Sequence, residues 1–470
     1  MELEPIIGLE LHIEMKTKSK MFSSSAVSFG GVPNTHIDPF DMAFPGTLPL
    51  VNKQAVINGI RMANALHMTI DNELWFDRKN YFYSDLPKGY QITQEKRPLG
   101  RKGYLNINGR RIDIERLHLE EDTCKQLHFQ DYSLLDYNRA GIPLIEIVSK
   151  PIIKDGEEAM RFVEEIRSIA SFLDVSDGKM EEGSLRCDVN VSIHEKGQQS
   201  LGVKVEIKNI NTLKNIKHAI DFEINRQEEL VNKGKRIIQE TRRYDEKKKE
   251  TIPMRLKINS IDYKTFIDPN IIPIKLSEDF IKSAIETSNE LASQRFERYQ
   301  AMGLNDYDAS LLLNNKDVSD YYDNVIKLGA NPKITANWVN VDIQAYLKKT
   351  NTDIKDFPIK PDRLSQLIQL LMKNEISNKQ VRDIFTVMLG SNKEPSEILK
   401  ETGNALINEE KTLLNLVGEV LDNNPQIITD YKNGKDKVVG YVVGVIMQKT
   451  KGQANPSLTN RLVKEELQRR

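Results

Sequence analysis

The hydrophobic period of this chain changes near residue 275, and no other feature constrains the fold as strongly. Before that point, short runs such as "PIIGLELHIEM" and "LRCDVNVSI" alternate apolar and polar residues, which is typical of strands with one buried face. Helical periods interrupt these runs at 156–173 and 215–234. After that point, apolar residues recur every three or four positions, as in amphipathic helices. We therefore predict an α+β fold, with a mainly antiparallel sheet and helices followed by helical modules.

The chain has 470 residues, a length that accommodates roughly two to four domains. We predict an α+β domain over 1–290, an all-helical domain over 291–405 and a small helical tail domain over 406–470. Apolar residues make up 39% of the chain and charged residues 29%, which is typical of globular proteins.

Several protein classes are disfavoured by composition. Lys and Arg (67) nearly balance Asp and Glu (68), so net charge gives no reason to expect a nucleic-acid partner. With only Cys124 and Cys187, neither a disulfide framework nor a cysteine zinc site is expected. No run approaches the ~18 apolar residues of a membrane span, and no secretory signal pattern is visible. We expect a cytoplasmic protein without membrane or DNA partners.

One acidic residue lies in an otherwise apolar strand pattern. In "GIPLIEIVSK", Glu146 stands between Ile145 and Ile147 in a run that reads as buried on both faces. A buried carboxylate is costly unless it is paired or binds a metal. Glu146 is therefore the strongest candidate for a functional acid.

Other polar residues on predicted strands extend this candidate set. Glu10 and His12 share one strand face about 7 Å apart, and "RLHLEED" adds adjacent acids. Oxygen-rich ligands favour Mg²⁺ or Mn²⁺ over zinc, and such ions bridge phosphates in ATP-using enzymes. The alternative is a sheet with one wet, acid-rich face. The candidate metal ligands are Glu10, His12, Glu120, Glu121, Glu146 and Asp188.

Two further segments leave alternatives open. The charge run "QETRRYDEKKKET" at 239–251 fits either a solvated loop or a contact with phosphate or RNA backbone. Residues 431–470 hold nine Lys or Arg against three Asp or Glu. Within them, Gly440 and Gly444 share a helix face, where each glycine costs about 1 kcal/mol relative to alanine. Their presence indicates either tight helix packing or a polynucleotide lying against that face.

Long motifs run through nearly the whole chain in one order: "IGLELHIEMKTKSKMFS", "PGTLPLVN", "FDRKNYFYSDLPKGYQITQ", "RLHLEED", "GIPLIEIVS", "KMEEGSLRCDVNVS", "EIKNINT", "QETRRYDE", "LDNNP", "YKNGK" and "KGQANP". Together they resemble the GatB family, the B subunits of aspartyl/glutamyl-tRNA amidotransferases. The resemblance implies a cradle-like catalytic domain in a heterotrimer, whose other members are a glutaminase (the A subunit) and a small C subunit. It implies ATP-dependent phosphorylation of the side-chain carboxylate of Glu-tRNA(Gln), Asp-tRNA(Asn) or both, followed by amidation with ammonia. The competing hypothesis is a non-catalytic tRNA-binding and assembly subunit.

The resemblance also implies roles for individual residues. Glu121, Glu146 and Asp188 are expected to be catalytic, with ATP and Mg²⁺ or Mn²⁺ as cofactors. The resemblance also favours Glu121 as the firmer ligand, Glu120 as its neighbour and Asp122 as the solvated end of the strand. Lys208 and Asn209 are expected to contact the nucleotide, and Lys79 and Lys88 to lie along the ammonia path. The residues expected to contact tRNA are Gly440, Gly444, Lys449 and Lys451.

Overall fold

The computed structural model describes residues 2–197, 201–256, 262–402, 407, 409–450 and 452–470. The strands are β1 (Leu3–Glu14), β2 (Thr69–Ile70), β3 (Glu73–Leu74), β4 (Asp77–Asn80), β5 (Tyr90–Thr93), β6 (Gly100–Ile107), β7 (Arg110–Glu121), β8 (Lys125–His128), β9 (Ser133–Asp136), β10 (Pro143–Ser149), β11 (Leu185–Glu195), β12 (Val205–Ile210), β13 (Glu240–Asp245), β14 (Glu250–Leu256), β15 (Phe266–Ile267) and β16 (Ile274–Lys275).

Helices occur between the strands and make up nearly all the regular structure after β16. They are α1 (Lys53–Ala65), α2 (Gly156–Phe172), α3 (Leu213–Asn232), α4 (Glu278–Glu286), α5 (Ala292–Ala301), α6 (Asp306–Leu313), α7 (Lys316–Lys327), α8 (Pro332–Asn337), α9 (Gln344–Thr350), α10 (Pro361–Met372), α11 (Asn378–Leu389), α12 (Pro395–Thr402), α13 (Glu410–Asp422), α14 (Gln426–Lys432), α15 (Lys437–Lys449) and α16 (Pro456–Arg469). A π-helical turn spans Trp338–Ile343, and a 3₁₀ turn spans Ile354–Asp356.

A nine-stranded sheet organises the first part of the chain. Its strand order is β14-β13-β12-β11-β1-β10-β7-β6-β2. Neighbouring strands are antiparallel except for β12 and β13, which run parallel. The helices on one side of this sheet and the helical region after β16 confirm the predicted α+β class.

The sheet has one apolar and one polar face because its strands alternate. Leu9 and Leu11 of β1 are buried in a core that also contains Ile60 of α1, Phe162 of α2 and Ile216 of α3. The residues between them in the strand point to the opposite face, which those helices do not cover. The functional candidates lie on this second face.

Local sequence signals set the connection between β6 and β7. Asn108 and Gly109 form the two-residue turn, with φ of 51° and 78°. A type I′ hairpin turn needs positive φ at both central positions, which Asn-Gly accommodates at low cost. This turn pairs Ile107 with Arg110. The β6–β7 pairing that begins there extends along β7 to Leu117, in the segment "RLHLEED".

The chain divides into two compact units, Met1–Ala292 and Ser293–Arg470. Among the described residues of the second unit, buried apolar side chains form one core within 299–398 and another within 413–467. The predicted boundary at 405/406 falls outside the described residues and stays a prediction. In the described part of the chain, no helix has the length and apolar character needed to cross a membrane.

Candidate active site

The polar face of the sheet carries a row of ionisable side chains at its centre. His12 of β1 stands directly opposite Glu146 of β10, and Glu146 stands opposite His118 of β7. On the other side, His12 is paired with Arg186 of β11. Four strands far apart in sequence thus each contribute one residue to a single line across the sheet.

The first carboxylate group consists of His12, His118 and Glu146 from this row, together with the neighbouring acid Glu120. Nε2 of His12 lies 3.5 Å from Oε2 of Glu146 and 3.6 Å from Oε1 of Glu120. Nε2 of His118 lies 3.1 Å from the same oxygen of Glu146. Ligand atoms of His12, Glu120 and Glu146 all lie within 4.8 Å of one another, a spacing that one cation can bridge.

The histidines compensate the charge of the buried acids. Burial by itself would lower the pKa of His118, but the charges and hydrogen bonds of Glu146 and Glu120 outweigh it and raise that pKa to about 9. For Glu146, burial acts to raise the pKa, and His118 and His12 overcome it and hold the pKa well below its ordinary range. The first group is therefore a charged network at neutral pH.

A second carboxylate group lies alongside on β1, β11 and β12. Glu10 is paired in register with Asp188, and ligand atoms of Glu10, Asp188 and Glu206 lie within 4.8 Å of one another. Nδ2 of Asn190 donates to Oε1 of Glu10 at 3.0 Å. Nζ of Lys208 binds Asp188 and lies 3.7 Å from Oε1 of Glu206. Burial would lower the pKa of Lys208, but Asp188 and Glu206 raise it overall, so Lys208 is a stable counter-ion.

Both groups fit a hard divalent cation by the chemistry of their donors. Five of the six candidate ligand residues offer carboxylate oxygens, and the sixth, His12, offers an imidazole nitrogen. Oxygen-rich donor sets of this kind suit Mg²⁺ and Mn²⁺, whereas structural zinc sites favour thiolate and imidazole. The two described cysteines, Cys124 and Cys187, are buried outside both groups.

A cavity of about 440 Å³ opens between the two groups. His12 and Glu120 line it from the first group, and Asp188 and Lys208 line it from the second. Asn209, with φ of 61°, also lines it and lies next to Lys208 in the chain. The two residues predicted to contact a nucleotide thus line the same cavity as His12, Glu120 and Asp188.

Arg186 is a second cation in the wall of this cavity. Its Nη2 donates to Oδ2 of Asp122 at 2.7 Å. Its Nε is buried and has no hydrogen-bond partner in the described part of the chain. The guanidinium therefore adds positive charge to the wall of the cavity.

Glu121 lies outside both groups. Glu120 and Glu121 follow each other in β7 without a bulge, so their side chains point to opposite faces. Glu121 is 1% exposed and accepts from Nζ of Lys88 at 2.7 Å and from the backbone N–H of Ile92 at 3.0 Å. The structure therefore brings Glu120, and not Glu121, beside His12 and Glu146.

The two lysines predicted for the ammonia path have different surroundings. Lys88 pairs with Glu121, and its Nζ lies 4.9 Å from the ring centroid of Phe40. Lys79 of β4 has its Nζ 4.8 Å from the ring centroid of Tyr263. Lys88 is thus a buried ion-pair member, whereas Lys79 packs on an aromatic face.

The expectation that Asp122 is solvated was wrong. Asp122 is buried and binds Arg186, with Nε of Arg139 3.7 Å from the same oxygen. Burial would raise the pKa of Asp122, but the two guanidinium groups lower it overall. Local sequence showed the end of a strand, but the neutralising cations come from β11 and from a distant loop.

Sequence reasoning did not select His118, Glu206 or Arg186. Each lies two residues before a selected residue on the same strand: His118 before Glu120, Glu206 before Lys208, and Arg186 before Asp188. Because side chains two apart share a strand face, extending each candidate by two positions would have found all three.

The tail helix α15 presents both predicted glycines to open space. A Cβ atom built on Gly440 or on Gly444 would have no described heavy atom within 4 Å. Helix packing within the described chain therefore does not account for them. Nζ of Lys449 donates to Oε1 of Glu419 at 2.8 Å, and Lys451 lies outside the described residues.

The fold and the site define the class of protein: an α+β catalytic domain with a carboxylate-lined cavity, followed by helical modules. Comparison with known proteins agrees. Residues 5–282 match the model of the GatB/GatE catalytic domain, and residues 320–467 match the model of the GatB domain. The chain belongs to the GatB family.

Curated relatives support this assignment over the full length. The chain is 45% identical over 475 residues to the B subunit of the aspartyl/glutamyl-tRNA(Asn/Gln) amidotransferase of Bacillus cereus (strain AH187), with 100% of both chains covered. It has the same identity and coverage to the B subunit from a Staphylococcus species, and to that of Bacillus cytotoxicus over 476 residues.

Proposed function

We propose that this chain is the subunit of a tRNA-dependent amidotransferase that activates and amidates the aminoacyl group. The substrate is Glu-tRNA(Gln), Asp-tRNA(Asn) or both, and the product is the corresponding Gln-tRNA or Asn-tRNA. The observation that carries the proposal is the pair of carboxylate groups, around His12 and around Asp188, which face one cavity in a GatB catalytic domain.

The reaction requires two steps at one place. First, a side-chain carboxylate oxygen of the aminoacyl group attacks the γ-phosphorus of ATP. The bond to the bridging oxygen breaks, so ADP leaves and an acyl phosphate forms. Ammonia then attacks the acyl carbon, inorganic phosphate departs with the bonding pair, and the nitrogen loses one proton. In the first step two anions meet, so positive charge at the site is essential.

Divalent cations fit both carboxylate groups, and we assign them to the proposed reaction. His12, Glu120 and Glu146 would hold one ion, and Glu10, Asp188 and Glu206 the other. When bound, Mg²⁺ or Mn²⁺ neutralises phosphate charge during phosphoryl transfer. Glu121, also predicted as a ligand, is directed away from both groups by the alternation of β7.

The chain's own cations bind and orient the anionic substrates. Lys208 can move from Asp188 to a nucleotide phosphate without leaving the cavity, since its side chain already lines it. Arg186 also lines the cavity, where its guanidinium suits a phosphoryl oxygen. Asn209 stays a predicted nucleotide contact on the strength of its place beside Lys208.

The remaining predicted residues serve delivery and binding in this proposal. Ammonia from the glutaminase (the A subunit) would pass the Lys88–Glu121 pair and Lys79. The charges of these side chains would orient the polar groups that line the ammonia path. The small C subunit would complete the heterotrimer, which we place in the cytoplasm, where tRNA is charged. Gly440 and Gly444 would let a tRNA backbone approach α15 closely.

An assembled heterotrimer with mischarged tRNA, ATP, Mg²⁺ and ammonium chloride tests the proposal. Ammonium replaces the glutaminase, so the assay isolates the chemistry of this chain. Glu146→Gln and Asp188→Asn should each lower amidation by at least about 100-fold, since one acid of each group is lost, while tRNA affinity is retained. Glu115→Gln, an exposed change on β7, is the matched control and should keep full activity.

Full amidation by both site variants would refute the assignment of the two groups. It would support the competing hypothesis, in which the sheet is a scaffold and the chain only binds tRNA and assembles the complex. Loss of tRNA binding together with activity would instead indicate misfolding, which the midpoint of thermal unfolding of each variant reveals.

A further inference from the structure

The charge run at 239–251 belongs to the sheet and is buried in part. Strands β13 and β14 take up most of this segment, and Gln239 and the turn at residues 246–249 lie outside them. Thr241 is 1% exposed and Thr251 is 3% exposed. The solvated-loop interpretation is therefore wrong for the strands. Nothing in the proposed chemistry accounts for so many polar groups being buried here.

The charged side chains of this segment form a buried network with Glu223 of α3. Nη1 of Arg242 donates to Oε1 of Glu240 at 2.7 Å, and its Nε donates to Oγ1 of Thr251 at 2.8 Å. That hydroxyl in turn donates to Oε2 of Glu223, which is fully buried on α3. Arg226 donates to the other oxygen of Glu223 at 2.6 Å. Buried ion pairs with several hydrogen bonds hold strands in one position.

Thr241, which precedes Arg242 in β13, contacts the second carboxylate group. Thr241 is paired in register with Glu206 across the parallel β12–β13 pair. Its Oγ1 donates to Oε2 of Glu206 at 2.8 Å. The other oxygen, Oε1, is the one 3.7 Å from Nζ of Lys208, which binds Asp188. Thr241 thus engages one oxygen of Glu206, and the other oxygen faces the group.

We propose that Thr241 is a positioning residue for the second ion site of the proposed reaction, acting through Glu206. A hydroxyl suits this task because it donates one hydrogen bond and leaves the negative charge of the three acids intact. A positively charged side chain in place of this hydroxyl would instead compete with a divalent ion for the three acids. Hydrogen bonds to metal-ligating carboxylates commonly change metal affinity by about 10–100-fold.

Mn²⁺ binding to the full chain tests this proposal without requiring catalysis. Free Mn²⁺ is counted by electron paramagnetic resonance, and Asp188→Asn identifies which binding event belongs to the second group. Thr241→Val keeps the shape and removes the hydroxyl, and it should weaken that event by about 10–100-fold while the event at His12 is unchanged. Thr241→Ser restores the donor and should restore the affinity.

Thr251→Val is the matched control, since it removes an equally buried hydroxyl whose acceptor is Glu223 instead of Glu206. It should lower the unfolding midpoint but leave Mn²⁺ affinity unchanged. Equal weakening by both valine variants would overturn the positioning role, because the effect would then be general loosening. Unchanged affinity in Thr241→Val overturns it too. Absence of any Mn²⁺ bound by the wild-type chain would instead overturn the proposed ion sites themselves, and the positioning role with them.

Discussion

Metal binding at the first carboxylate group should expel protons, and the structure sets the size of the effect. In the metal-free chain His118 holds its proton with a pKa of about 9, because Glu146 and Glu120 outweigh the effect of burial. The pKa of His12 is raised as well: burial lowers it, but Glu146 and Glu120 prevail. A cation bound to Glu146 removes that support from His118, and His12 must be neutral to act as a ligand.

The cost of removing the proton from His118 when the ion binds can be expressed as a free energy. Two pH units separate pH 7 from its pKa of about 9, and each unit corresponds to 1.36 kcal/mol. Expelling this proton at pH 7 therefore costs about 3 kcal/mol, or about 100-fold in affinity. The apparent Mn²⁺ affinity should rise about tenfold per pH unit between pH 7 and 8. His12 changes it in the same direction.

Isothermal titration calorimetry in two buffers of different ionisation enthalpy measures the protons released, and we expect at least one per ion. His118→Gln keeps a polar side chain but cannot titrate, so its affinity should depend less steeply on pH. Affinity independent of pH, with no proton released, would refute the reasoning. The same His118 pKa predicts that, in EDTA, stabilisation present below pH 6.5 is lost as pH rises towards 9, which the unfolding midpoint reports.

Three further outcomes are expected. Lys208→Met removes the counter-ion of Asp188, so Mn²⁺ should bind the second group more tightly and Mg-ADP more weakly; calorimetry that shows neither change contradicts this role. Glu223→Ala removes the fully buried carboxylate that neutralises Arg226 and Arg242 and should destabilise the first unit by about 3–5 kcal/mol in urea, whereas the exposed Glu229→Ala should leave the urea midpoint unchanged. Gly444→Ala should stabilise α15 by up to about 1 kcal/mol and yet weaken tRNA binding by the heterotrimer; unchanged affinity would exclude close contact there.

The sequence by itself determined the elements and their faces. Alternation in β1 placed Glu10 and His12 on one face, Asn108-Gly109 defined the β6–β7 hairpin, and the change of period near residue 275 separated the sheet from the helices. These features depend on neighbours within a few positions, where side-chain period and turn chemistry act. The isolated acid in "GIPLIEIVSK" was sufficient to point to Glu146.

Only the tertiary structure decided which of these residues meet. The register between strands from distant parts of the chain aligned His12, Glu146 and His118, and the hydrophobic pattern of the whole sheet fixes that register. Strand β7 also runs through Glu120 and Glu121 without a bulge, so Glu120 faces the candidate ion site and Glu121 pairs with Lys88. The charge run at 239–251 looked solvated because its counter-charge, Glu223, is supplied by α3. Burial of a charge depends on a partner that local sequence does not contain.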